Sequence, residues 1–158
     1  MPADRLDEVL EELEPQGGFC AGAIGSDLLF AEAMIRRGGD VTLVLPYDVE
    51  RGRIVVGDFG GEGWIERYEA VVGSARSVKE LNLQSTSPSP IDFSYTNQVM
   101  SGLALLKART VESRVIPLAL WNGQPGDAAG GTAEFVGFWR NREVEPVIVP
   151  TAELTRND

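Results

Sequence analysis

Two stretches of this sequence place glycines where a strand gives way to a helix. The first is Gly22-Ala23-Ile24-Gly25-Ser26-Asp27. The second is the Gly/Asp loop from Asn122 to Thr132, which ends at the helix start Gly130-Gly131-Thr132. Glycine lets a backbone approach a ligand closely. The free amides of a helix's first turn, with the positive end of its dipole, suit a phosphate or a ribose. The bland alternative is that these glycines only make tight turns, and for one such loop the two readings weigh evenly. Two on the same sheet edge favour binding. A third loop, Leu45-Pro46-Tyr47-Asp48, falls at the same end of the strands. The spacing is not GxGxxG, and there is no GxxxxGK[ST], so neither a standard dinucleotide fingerprint nor a P-loop is present.

Residue types narrow the chemistry. The chain has no histidine, which excludes Ser-His-Asp and Cys-His nucleophile activation and histidine-bearing zinc sites. Its single cysteine, Cys20, can make no intramolecular disulfide and no cysteine zinc cluster. In an apolar stretch it reads as a small buried hydrophobe. Acid–base work would fall to carboxylates, tyrosines or lysines. Asp27 opens a helix, where capping is the first expectation and a ribose contact the second. Glu32 lies five residues on, about 140° around the helix from Asp27, and so points elsewhere. Glu32 and Glu134 are the weak catalytic candidates. Trp64, Trp121 and Trp139 are expected in the core, with Trp121 at a strand end able to stack on a base.

Those loops need a scaffold, and the apolar pattern supplies one. With 158 residues the chain can bury a full single-domain core. Helices are expected over 3–14 (Leu6, Val9, Leu10 and Leu13 inward), from Ser26 or Asp27 to Gly38, over 64–75, through 95–106 and over 132–140. In the helix through 95–106, Tyr95, Val99, Met100, Leu103 and Leu106 are the pattern residues. Strands are expected near 19–23, 41–45, 77–81, 115–121 and 146–149. Val41 to Leu45 is apolar on both faces, the mark of a parallel sheet covered by helices. Residues 47–63 read as a long Gly-rich acidic loop, and 83–93 as a Ser/Pro-rich lid or binding loop. Strand and helix alternate, so the expected fold is α/β: a Rossmann-like three-layer domain with a mostly parallel sheet over residues 1–150, then a tail or linker start at 151–158. The chain opens with a helix where such domains open with a strand. A first strand is therefore expected to be missing, leaving an apolar groove or edge beside the strand at 19–23, or a partner chain filling it.

Residues 22–46, GAIGSDLLFAEAMIRRGGDVTLVLP, resemble the core motif of the SLOG superfamily. That group includes the DNA-processing protein DprA, the LOG phosphoribohydrolases and nucleotide-ligand sensor domains. The later stretch LALWNGQPGDAAGGTAEFVGFWR resembles a segment of a bacterial subgroup in which the domain is attached to tetratricopeptide repeats or nucleotide cyclase domains. The resemblance spans roughly 20–150. It implies that Gly25, Ser26, Asp27, Asp127, Gly130, Gly131 and Thr132 line a ligand, beside Gly22 of the same turn. The subgroup's first strand, with its G-H-R-like motif, has no counterpart. The phosphoribohydrolase motif appears only as GGTAE, so that catalysis is not implied. Asp27 to Ala33 also resembles the D-x-x-x-x-E-A of nucleoside deoxyribosyltransferases, where a glutamate attacks the anomeric carbon.

The expected function is a regulatory or sensor domain binding a nucleotide-derived small ligand at the carboxyl edge of the strands, with no cofactor. The alternatives are an N-glycosidic-bond hydrolase or transferase, or a degenerate interaction module. Expected partners are the ligand and either a homodimer mate or an attached effector module. The net charge of −10 with scattered basic residues argues against nucleic acid and against anionic membranes. No apolar run approaches a membrane span, and a cytoplasmic location is the default.

Overall fold

The structure, a computed structural model, describes residues 2–84, 89–125 and 131–151. Its elements run α1 (Pro2–Leu13), β1 (Gly17–Cys20), α2 (Ser26–Arg36), β2 (Asp40–Leu45), α3 (Val49–Gly60), α4 (Glu62–Ser74), β3 (Ser77–Glu80), α5 (Pro90–Thr110), β4 (Leu118–Trp121), α6 (Thr132–Arg140) and β5 (Val147–Pro150). All strand pairs are parallel, and the fold is α/β of the Rossmann-like class. Among the described residues no helix is long and apolar enough to cross a membrane.

β2 is the central strand. It pairs with β1 on one side, Gly18 opposite Val41, and with β3 on the other, Leu43 opposite Val78. Val41, Leu43, Val44 and Leu45 are all buried, as a strand covered on both faces requires. Leu6 and Leu10 of α1 and Leu28, Ala31 and Met34 of α2 join it in the core.

The five strands do not form one continuous ladder. β1-β2-β3 make one set and β4-β5 another, although Leu118 and Leu120 of β4 pack against the same core. Among the described residues β1 is laddered to β2 alone, and its Gly18 and Cys20, with Ala21 just after it, are buried.

Strand limits differ from the pattern for local reasons. β1 ends at Cys20 because Gly22, at φ 71°, already turns the chain. β4 starts at Leu118 rather than Val115, since Pro117 has no amide for a ladder. Its carbonyl still accepts from Val147 N at 2.8 Å.

The long loop expected over 47–63 is instead helix α3. Asp48 caps it, its carboxylate accepting from Arg51 N at 2.7 Å. Three glycines lower its intrinsic helicity, but each allows a close approach. A Cβ at Gly57 would stand 2.7 Å from Ile65 Cδ1. One at Gly52 would collide with the Tyr68 hydroxyl, and one at Gly60 with the Trp64 ring. Packing of α3 on α4 thus outweighs propensity.

α5 also departs from expectation. Met100 is buried, but its companions inside are Asp92, Thr96 and Ser101, while Tyr95 and Leu106 face out. The helix is apolar on both flanks, so periodicity could not choose a side. It begins at Pro90 behind Ser89, whose hydroxyl accepts from Ile91 N. The loop expected over 83–93 therefore ends sooner; its residues 85–88 lie outside the described set, as do 152–158 of the expected tail.

Native-state hydrogen exchange should rank the strands accordingly. Leu43 and Val44 amides of β2 should exchange most slowly. Alternate amides of β1 and β4, those turned away from β2 and β5, should exchange much faster. Equal protection of all amides in β1, β2 and β4 would contradict the split ladder.

Candidate functional site

The chain runs off the ends of β1 and β2 into a cavity of about 480 Å³. One wall is the β1–α2 turn, with Ala21, Gly22, Ala23 and Ile24. The second is the end of β2, with Leu45, Pro46 and Tyr47. Val55, Val56 and Phe59 of α3 form the third. Ser89, Pro90 and Phe93 at the start of α5, with Gly131 before α6, close the fourth. The volume suits a small metabolite. None of these residues carries a formal charge, so the site offers apolar surface and backbone dipoles.

The four helices that follow strands begin in two ways. α3 and α5 are capped by the side chains of Asp48 and Ser89. α2 and α6 have glycine N-caps, Gly25 and Gly131, with no side-chain cap. Gly25 stands at φ 91°, which an L-residue rarely adopts. The expected capping of α2 by Ser26 or Asp27 is corrected. Ser26 is exposed, and Asp27 reaches backwards, Oδ2 accepting from Ala23 N at 3.1 Å. A carboxylate on the second residue of the helix lies past the N-cap position and reaches the amide of the preceding turn instead. Among the described residues, neither glycine cap offers a side-chain acceptor to the first-turn amides of α2 and α6.

Of the residues expected to line a ligand, Gly22 and Gly131 line this one cavity, which brings the two glycine loops to the same end of the strands. Gly25, Ser26, Asp27 and Thr132 flank it without lining it. Asp127 and Gly130 lie outside the described residues.

The carboxylates have other employment. Glu32 receives a forked pair of bonds from Arg67, with Nη2 to Oε1 at 2.7 Å and Nε to Oε1 at 3.0 Å. The same guanidinium lies 4.1 Å from the Trp64 ring centroid. Glu134 accepts from the Ser94 hydroxyl. Neither lines the cavity. Burial, partly offset by the Ala23 amide, raises the Asp27 carboxyl to about 6. Burial and then the charge of Asp27 push up the Cys20 thiol, so it is no ready thiolate. Trp121 donates to the Gln124 carbonyl at 3.2 Å and is absent from the cavity walls. Among the described residues no group of histidine, cysteine and carboxylate side chains could hold a metal.

The pattern reading missed α3 and the start of α5 as walls. Asp48 before Ile54, Val55 and Phe59 is a helix-start signature, as is Ser89-Pro90; the glycines of α3 obscured the first. A scan of protein-family models finds no match to this chain, and a search of curated proteins finds none either.

Asp27 makes a pH signature. Its folded pKa of about 6 exceeds the ordinary value of about 4, so the folded chain holds a proton that the unfolded chain has released. Stability from this group is full below pH ~4 and falls as pH rises through ~6, by on the order of 3 kcal/mol. Urea midpoints for wild type and Asp27→Asn should therefore diverge across that window, with wild type losing more. Parallel profiles would refute the raised carboxyl.

Proposed function

We propose that this chain is a regulatory ligand-binding domain of the SLOG type, working in the cytoplasm and holding a nucleotide-derived small molecule. The supporting observation is one apolar cavity at the strand ends, lined by Gly22 of the turn before α2 and by Gly131, the N-cap of α6. A base would lie between aromatic and aliphatic walls, with Phe59, 73% exposed at the rim, stacking on it. Phosphate or ribose oxygens would accept from the uncapped amides of α2 and α6. Occupancy would be passed to a second copy or an attached module.

Catalysis at an N-glycosidic bond is the second reading. It needs a carboxylate against the sugar and an acid for the leaving base. Asp27, with its pKa near 6, has the ionisation of such an acid. Yet it is turned to Ala23, while Glu32 and Glu134 are tied to Arg67 and Ser94. Binding asks only for what the cavity already offers.

A thermal-shift panel of AMP, ADP, NAD, ADP-ribose and ribose 5-phosphate tests the proposal. A ligand at 100 times its Kd adds about 2.7 kcal/mol of stability. Gly131→Val should abolish the shift with little loss of fold, and Glu32→Gln should leave it intact. Phe59→Ala should weaken binding roughly tenfold, in line with ~1–3 kcal/mol for base–aromatic stacking. No shift with any compound would count against the sensor reading. Turnover of a nucleoside or nucleotide, lost in Glu32→Gln, would replace it with the glycosidase reading.

A further inference from the structure

α5 presents a second apolar face. Its 21 residues span about 31 Å. Along its outer side Ile91, Tyr95, Gln98, Gly102, Leu105 and Arg109 are exposed, at alternating intervals of four and three. That is the spacing of a helix–helix seam. The opposite side, with Asp92, Thr96 and Met100, is buried. A Cβ added at Gly102 would meet nothing within 4 Å, so packing within the chain does not require this glycine.

The two ends of the seam differ in a complementary way. At the N-terminal end Ile91 and Tyr95 project, 73% and 50% exposed. At the C-terminal end Leu105, Leu106 and Arg109 border an open groove of about 920 Å³, with Trp139 and Val144 on its far side. Trp139 is 3% exposed, and its indole N–H has no acceptor among the described residues. A buried donor without an acceptor is costly.

We propose that a second copy of this chain docks on α5, the two helices antiparallel about a two-fold axis near Met100. The seam reads the same from both ends in that register: Ile91 faces Arg109, Tyr95 faces Leu105 and Gln98 faces Gly102. Each copy's Ile91 and Tyr95 enter the other's groove, as an isologous interface requires. Arg109 reaches the end of the other α5 where Ser94 holds Glu134, so unlike charges meet. The face is built on one helix, and the dimer depends on concentration.

The seam also bears on the cavity. Ser89, Pro90 and Phe93 line it from the same turn that carries Ile91. Resting on the ligand-sensor reading, this makes dimerisation the output of the site, and the coupling is reciprocal.

Sedimentation velocity on the full chain tests the proposal first without ligand. Wild type should move from monomer to dimer between low and high micromolar protein. Leu105→Glu with Leu106→Glu should stay monomeric with an unchanged circular dichroism spectrum, and Tyr95→Ala should weaken the dimer several-fold. Should the double glutamate variant fail to fold, cross-linking decides. Gln98→Cys with Gly102→Cys should form an interchain disulfide on mild oxidation, and Gln98→Cys with Lys107→Cys should not. A wild-type monomer at high micromolar protein, or equal cross-linking of both pairs, would overturn the proposal. The same runs with AMP and ADP-ribose separate the two readings. A dimer that binds neither keeps the seam and removes the ligand. A ligand bound by an obligate monomer removes the seam.

Discussion

The hydrogen bond from the Tyr47 hydroxyl to Asp92 Oδ2, 2.9 Å and buried, fixes the geometry on which the cavity depends. Tyr47 follows the end of β2, and Asp92 lies in the first turn of α5, 45 residues later. A hydrogen bond between two buried polar groups is costly to break, so the pair resists separation. Burial and the carboxylate partner both push the Tyr47 hydroxyl above its ordinary pKa, which keeps it a donor. Arg51 stacks 4.3 Å from the Tyr47 ring centroid and covers it from the α3 side. With the start of α5 pinned to the end of β2, Ser89, Pro90 and Phe93 become a wall of the cavity. The rotation of α5 follows too, because burying Asp92, Thr96 and Met100 turns Ile91, Tyr95, Leu105 and Leu106 outward.

The opposite wall rests on close packing. Gly52, Gly57 and Gly60 remove side chains where α3 meets Tyr68, Ile65 and Trp64. The Tyr68 hydroxyl donates to the Val49 carbonyl at 3.0 Å, which ties α4 to the first turn of α3. Burial raises the Tyr68 hydroxyl to about 12, so it too remains a neutral donor. Val55, Val56 and Phe59 are thereby aimed at the space beyond the strands. Both helices that wall the cavity are thus placed by hydrogen bonds of tyrosines that themselves line it.

The groups able to perform covalent chemistry are drawn into structure. Glu32, Arg67 and Trp64 form one stacked and hydrogen-bonded set joining α2 to α4. Glu134 joins α6 to α5 through Ser94. Asp27 folds back on its own turn. The glycine caps Gly25 and Gly131 give the starts of α2 and α6 no side-chain cap, and the proposed binding rests on those backbone amides.

How much of this was legible in the residues follows from which forces are local. The apolar run from Val41 to Leu45, the α2 and α6 helices and the glycine loops at strand ends are nearest-neighbour patterns, and the sequence alone determined them. It determined α/β class and parallel pairing for the same reason. The helical state of α3 was hidden because glycine's propensity cost is written locally while its gain comes from α4, across space. The outer side of α5 was hidden because a helix apolar on both flanks carries no period. The partner of Glu32 is 35 residues away and that of Tyr47 is 45 residues away, distances at which no spacing rule operates. Tertiary structure decided those points, because burial of a polar group is settled only when the chain brings it a partner.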